Sequence, residues 1–129
     1  MSAEVFWIVF PLWIRAFFFT LAVEIPLFVL VAGFRNRSGR RAPLWRLVLA
    51  GAAGTAVTHP ALWFVWPRVV SDYTLYIATG ELLVAVVETF TFFGLAHPIS
   101  LSRAAAASFI ANGASYGLGM LLHLLGVWE

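Results

Sequence analysis

Apolar and polar positions in this sequence alternate in long blocks rather than residue by residue. Apolar side chains fill Val5–Ala32, Trp45–Trp66, Thr74–Leu95 and Ala104–Trp128 with few interruptions. A helix rising ~1.5 Å per residue needs roughly 20 apolar residues to cross a bilayer's hydrocarbon core. Each block meets that length, so the pattern predicts an all-α integral membrane protein with four transmembrane helices. The first block is longer than a span requires. With Pro11 near its start and Trp7 and Trp13 around it, Trp13–Ala32 reads as the span proper. Val5–Leu12 is then an interfacial lead-in or an extension of the same helix. The expected spans are 13–32, 45–66, 74–95 and 104–128, in one domain covering 1–129. The links are short enough to force consecutive helices to be antiparallel neighbours, giving an up-down bundle.

Orientation follows from the polar links. The loop 34–46 carries Arg35, Arg37, Arg40, Arg41 and Arg46, whereas the opposite side offers Arg68 and Arg15. Positive charge collects on the cytoplasmic side of membrane proteins, so this loop is expected to be cytoplasmic and both termini outside. Arg103 adds a further inner charge. So strong a bias argues against dual topology. Trp7, Trp13, Trp63, Trp66, Trp128, Tyr73 and Tyr76 fall near the expected outer boundary, and Trp45 near the inner one, as in an aromatic belt. The N-terminus lacks the basic region and cleavage site of a secretory signal. The general build is that of a small bacterial inner-membrane protein.

Composition narrows the function classes. The chain is 62% hydrophobic and 11% charged, against about 25% charged in a soluble domain. All eight basic residues are Arg, and the net charge of +2 reflects one arginine cluster. No basic, aromatic-interleaved patch points to nucleic acid. With no cysteine, disulfide exchange, thiolate metal sites, iron–sulfur clusters and a cysteine nucleophile are excluded.

The informative residues are the polar ones inside the spans. Three of the six acidic residues, Glu24, Glu81 and Glu88, lie there, and a charge in that position costs several kcal/mol unless it has a partner or a role. Counting from the inner ends places Glu24, Glu88 and Asn112 in one layer, each about seven or eight residues deep. His59, Glu81 and His123 form a second layer about 10 Å further out. Facing agrees with depth. Glu81 and Glu88 share a helix face with Thr74, Ala78, Ala85 and Thr91 or Phe92. Asn112, Tyr116, Gly119 and His123 share another, as do Gly51, Thr55 and Thr58 or His59. Lipid penalises such stripes, so they are expected to turn inward. Ala50, Gly51, Ala53 and Gly54 in the second span should allow close helix packing within the chain. So should Ala107, Ala111, Ser115 and Gly119 in the fourth, with Gly113 and Gly117 on an adjacent ridge. Pro26 and Pro60 deprive the Ala22 and Ala56 carbonyls of a helical donor close to Glu24 and His59.

These layers support three readings. The leading one is a transport or permeation protein that binds a proton, cation or small polar ligand. Glu24, Glu88 and Asn112 form its inner site, and Glu81, His59 and His123 its outer site. A narrow four-helix bundle would then work as a homo-oligomer or with partner membrane subunits. The second is a non-enzymatic subunit or assembly factor of a larger membrane complex, with the polar residues as structural glue. The third is a membrane-embedded metalloenzyme with His59, Glu81 and His123 as ligands, or a bis-histidine haem site. The ligand pairs at three- or four-residue spacing that would mark a metal site are lacking, and the cofactor is left open. Ser108, Ser115 and Thr58 lack an elbow motif for hydrolysis, so an enzyme is the less favoured class. Arg15 reads as a snorkelling side chain or a partner of Glu81, and His97 as a turn residue.

Overall fold

The computed structural model describes residues 3–33 and 41–127. Four α-helices carry the fold: α1 (Ala3–Ala32), α2 (Leu44–Pro60), α3 (Tyr73–Leu95) and α4 (Leu101–Leu124). A π-helical turn (Ala61–Val65) and a 3-10 turn (Trp66–Arg68) prolong α2. With that extension, all four segments are long and apolar enough to cross a membrane. Residues 34–40 of the arginine-rich loop, and Trp128, lie outside the described residues.

Local chemistry sets the boundaries. Pro11 and Pro26 both lie inside α1 without ending it, so Val5–Leu12 extend the first helix. At ~1.5 Å per residue this helix is about 45 Å long, more than the ~30 Å of a hydrocarbon core. Pro43, extended and without an N–H, precedes α2, and its carbonyl accepts from Arg46 N–H at 3.0 Å. Pro60 has no N–H for the Ala56 carbonyl. Immediately after it the helix widens, and Trp66 N–H reaches back five residues to the Ala61 carbonyl. Asp72 caps α3 by accepting from Leu75 N–H at 2.9 Å. Of the two serines at the start of α4, Ser100 is the cap, accepting from Arg103 N–H at 3.3 Å. The fourth helix stops earlier than its apolar pattern suggests. Gly126 adopts φ 68°, a left-handed conformation open to glycine. Its N–H bonds to the His123 carbonyl, and Val127 N–H bonds to the Leu122 carbonyl, both at 3.0 Å. That pair of bonds closes a helix C-terminus.

The helices pack as a square, α1 and α3 each lying against both α2 and α4. The apolar core occupies one end only, where α1 ends, α2 begins and α3 turns into α4. Phe28 and Phe92 stack there across the diagonal, ring centres 3.9 Å apart, enclosed by Ala32, Leu47, Ala50, Ala96, Ile99, Ala104 and Ala107. Arg46 Nη1 donates to the carbonyl of His97 in the α3–α4 turn at 3.2 Å, tying the links at this end together.

The small residues behave in two ways. In α2 they make room: a Cβ on Gly54 would stand 3.0 Å from the Phe92 ring and 3.2 Å from Glu88 Cγ. In α4, Ala104, Ala107, Ala111 and Ser115 are buried, and Gly119 faces Phe19. Gly113 and Gly117 look into open space, so they take no part in the expected packing within the chain. Gly54→Val should therefore destabilise the bundle by about 1–3 kcal/mol through overpacking. Gly113→Ala should leave its stability equal or higher. Thermal unfolding of both variants in one mild detergent checks the contrast.

Candidate functional site

Above the phenylalanine plug the bundle interior turns polar. Glu24 on α1 is 2% exposed and Glu88 on α3 is 0% exposed. Neither carboxyl is left bare. Thr55 Oγ1 on α2 lies 2.9 Å from Glu24 Oε2, and Ser115 Oγ on α4 lies 2.8 Å from Glu24 Oε1. Thr58 Oγ1 on α2 lies 2.9 Å from Glu88 Oε1, and Asn112 Nδ2 on α4 donates to Glu88 Oε2 at 2.6 Å. Asn112 Nδ2 also donates to the Ser108 carbonyl at 3.0 Å, and Ser108 Oγ donates to the Ala85 carbonyl at 2.8 Å. All four helices thus contribute to one hydrogen-bonded layer. It joins the three residues placed together by depth, Glu24, Glu88 and Asn112.

This layer is the floor of a cavity of about 410 Å³. Its lining comes from the middle of α1 (Ala16 to Glu24), from α3 between Tyr73 and Glu88, from the C-terminal part of α2 with the π-helical turn, and from α4 from Asn112 onward. The cavity therefore occupies the half of the bundle away from the plug and the arginine-rich loop. All six residues singled out from the sequence line it: Glu24, Glu88 and Asn112 at the floor, and His59, Glu81 and His123 beyond. The outer three do not converge as the inner three do. Among the described residues, no group of three His, Asp or Glu side chains is arranged to hold a metal ion. Glu81 is half-buried, His123 is exposed, and Arg15 is exposed.

His59 has surroundings that spacing does not reveal. It is 8% exposed, and its ring packs on Phe17 at 5.6 Å, Trp63 at 6.0 Å and Trp13 at 6.3 Å between centres. Its Nδ1, and Nε1 of Trp13, are buried without a hydrogen-bond partner. Trp13 and Trp63, expected near the outer boundary, are among the rings that wall this histidine. The extra helical turns of α1 put Trp13 well below the helix start. Leaving a buried polar atom unpaired costs roughly 1–3 kcal/mol.

The hydroxyls of Ser108, Ser115 and Thr58 are engaged in hydrogen bonds. Ser115 and Thr58 face carboxyl oxygens, and Ser108 bonds a backbone carbonyl. The roles of Thr55, Thr58 and Ser115 as carboxyl partners were the part of the site that sequence reasoning missed. Thr55 and Thr58 were on the inward stripe, but hydroxyls are too common in spans to stand out without the distances.

Among the described residues, three carboxyls and no Arg or Lys line the cavity. Its volume lies in the usual range for small-molecule sites, ~300–1,000 Å³. No known family model matches the chain, and neither the curated proteins nor the solved structures provide a match.

Asn112→Ala should cost roughly 1–3 kcal/mol by leaving Glu88 Oε2 without its donor. The same change should cost less in a Glu88→Gln background, because residues in one hydrogen-bond network couple. A double-mutant cycle on unfolding in mixed micelles measures that coupling; strictly additive losses would contradict the network.

Proposed function

We propose that this chain is a small polytopic membrane protein that binds a proton, cation or small polar ligand in the carboxyl-lined cavity, in the course of transport or permeation. One observation carries the reading: Glu24, Glu81 and Glu88 face a single cavity whose lining, among the described residues, contains no Arg or Lys. Glu24, Glu88 and Asn112 make the inner site. Glu81, His59 and His123 make the outer one, where the unpaired Nδ1 of His59 leaves capacity for a polar group. We place the protein in a bacterial inner membrane, with loop 34–46 cytoplasmic and both termini outside, on the strength of the arginine bias. In that orientation the cavity opens away from the cytoplasm, and the Phe28–Phe92 plug closes the cytoplasmic end. Passage beyond the floor requires the plug to part, a rearrangement suited to an oligomer of this narrow bundle.

A second reading, a non-enzymatic subunit or assembly factor, is favoured by Gly113 and Gly117. These residues present an open, small-residue ridge on α4 of the kind that admits a neighbouring helix.

The two readings differ in what Glu88→Gln does. In proteoliposomes bearing a membrane potential, the transport reading expects dye-reported proton flux to fall at least about tenfold in Glu88→Gln, the scale of one lost essential group. The melting midpoint should stay close to that of the parent. An unchanged flux contradicts the transport reading. Stable co-purification of partner subunits with each Glu→Gln variant would support the second reading.

A further inference from the structure

The floor layer faces the cavity, and its side chains can settle into two hydrogen-bonded states. Each of the three hydroxyls that face carboxyl oxygens lies within bonding distance of two acceptors. Thr58 Oγ1 is 2.9 Å from Glu88 Oε1 and 2.9 Å from the Gly54 carbonyl. Thr55 Oγ1 is 2.9 Å from Glu24 Oε2 and 3.2 Å from the Gly51 carbonyl. Ser115 Oγ is 2.8 Å from Glu24 Oε1 and 3.1 Å from the Asn112 carbonyl. A hydroxyl has one proton to donate and two lone pairs to accept with, so it serves one of these acceptors at a time. Asn112 is different. Its Nδ2 faces the Ser108 carbonyl as well as Glu88 Oε2. A carbonyl oxygen only accepts, so the atom between them has to be the amide nitrogen, a donor only.

We propose that the Glu24–Glu88 layer is a proton site with a defined address: a proton taken up by Glu88 resides on Oε1, facing Thr58. This rests on the reading of the cavity as a proton or cation site and assigns the proton, among those ligands, to the floor. A proton on Oε2 would point at the Asn112 N–H. A proton on Oε1 donates to Thr58 Oγ1, whose own hydrogen then turns to the Gly54 carbonyl. When Glu88 is ionised, the Thr58 hydroxyl turns back and donates to Oε1. One O–H bond forms or breaks, no heavy atom shifts, and neither state leaves a buried polar atom unpaired, which would cost the desolvation of that group. Glu24 has a rotating hydroxyl at each oxygen and accepts a proton on either. Among the described residues no three-ligand group of His, Asp or Glu is arranged to hold a metal cation. The other titratable groups facing the cavity are His59 from α2, Glu81 and Tyr73 from α3, and Tyr116 and His123 from α4.

Acid-minus-alkaline infrared difference spectra of the full chain in liposomes test the address. The parent should show carbonyl-stretch bands of buried carboxylic acids, one component disappearing in Glu88→Gln and another in Glu24→Gln. Thr58→Val should retain the Glu88 component but move it to higher wavenumber, since the acid loses its acceptor. Thr58→Ser should restore the parent position, and Thr58→Ala provides the same test should the valine variant fail to fold. The proposal is overturned by a Glu88 component that ignores Thr58→Val, by one that shifts only in Asn112→Leu, or by the absence of any component sensitive to Glu88. Proton flux that still depends on Glu88 would then leave the broader function standing. Flux indifferent to Glu88→Gln would remove that function as well.

Discussion

Burying carboxyls in a bundle that is otherwise apolar is the constraint on which this structure depends. A carboxyl in hydrocarbon without partners is among the costliest groups a chain can carry. Here Glu24 and Glu88 lie at 2% and 0% exposure, and each is met by two helices other than its own. Thr55 and Thr58 approach from α2, and Asn112 and Ser115 from α4. The requirement fixes more than two side chains. It sets the rotation of every helix about its axis and the vertical register of α1 against α4 and of α3 against α2. It also explains Gly54, which has no side chain where the Glu88 stem and the Phe92 ring pass.

The rest of the interior divides around that layer. Toward the arginine-rich loop, alanines bring the helices together, and the stacked Phe28 and Phe92 fill the axis. Away from it, the larger side chains Phe19, Trp63, Tyr116 and Met120 stand back from the axis and leave a cavity. Pro60 and the wider π turn after it occur at this transition. Such turns re-aim side chains within an otherwise regular helix, and here the transition coincides with the aromatic surround of His59.

Much of this was legible in the sequence because helices long and apolar enough to cross a membrane obey simple metrics. Length and hydropathy located four spans, and counting residues from their ends brought Glu24, Glu88 and Asn112 to one depth, where the structure joins them. Seven-residue spacing put Glu81 and Glu88 on one face, and both line the cavity. What counting does not supply is the rotamer. Nothing in the spacing of Thr55, Thr58 and Ser115 says that their hydroxyls meet carboxyl oxygens rather than their own helix carbonyls. Nor does spacing show that Trp13 and Trp63 turn inward onto His59. Helix ends were read less well than helix middles. The end of α4 depends on the left-handed Gly126, a backbone event that hydropathy does not register. Gly113 and Gly117 resembled packing residues because the small-residue pattern is the same on an inner and an outer face.

The central claim is an interior that is accessible from one end and sealed at the other by the phenylalanine plug. The absence of cysteine from the sequence makes it directly measurable by introducing single cysteines and labelling them with a membrane-impermeant maleimide from either side of oriented vesicles. Ala16→Cys and Met120→Cys, on the cavity wall, should label rapidly from the side opposite loop 34–46 and slowly from the loop side. Ala104→Cys and Ala107→Cys, in the apolar end, should resist labelling from both. Rapid labelling of Ala104→Cys or Ala107→Cys, or of the cavity positions from the loop side, would contradict the account.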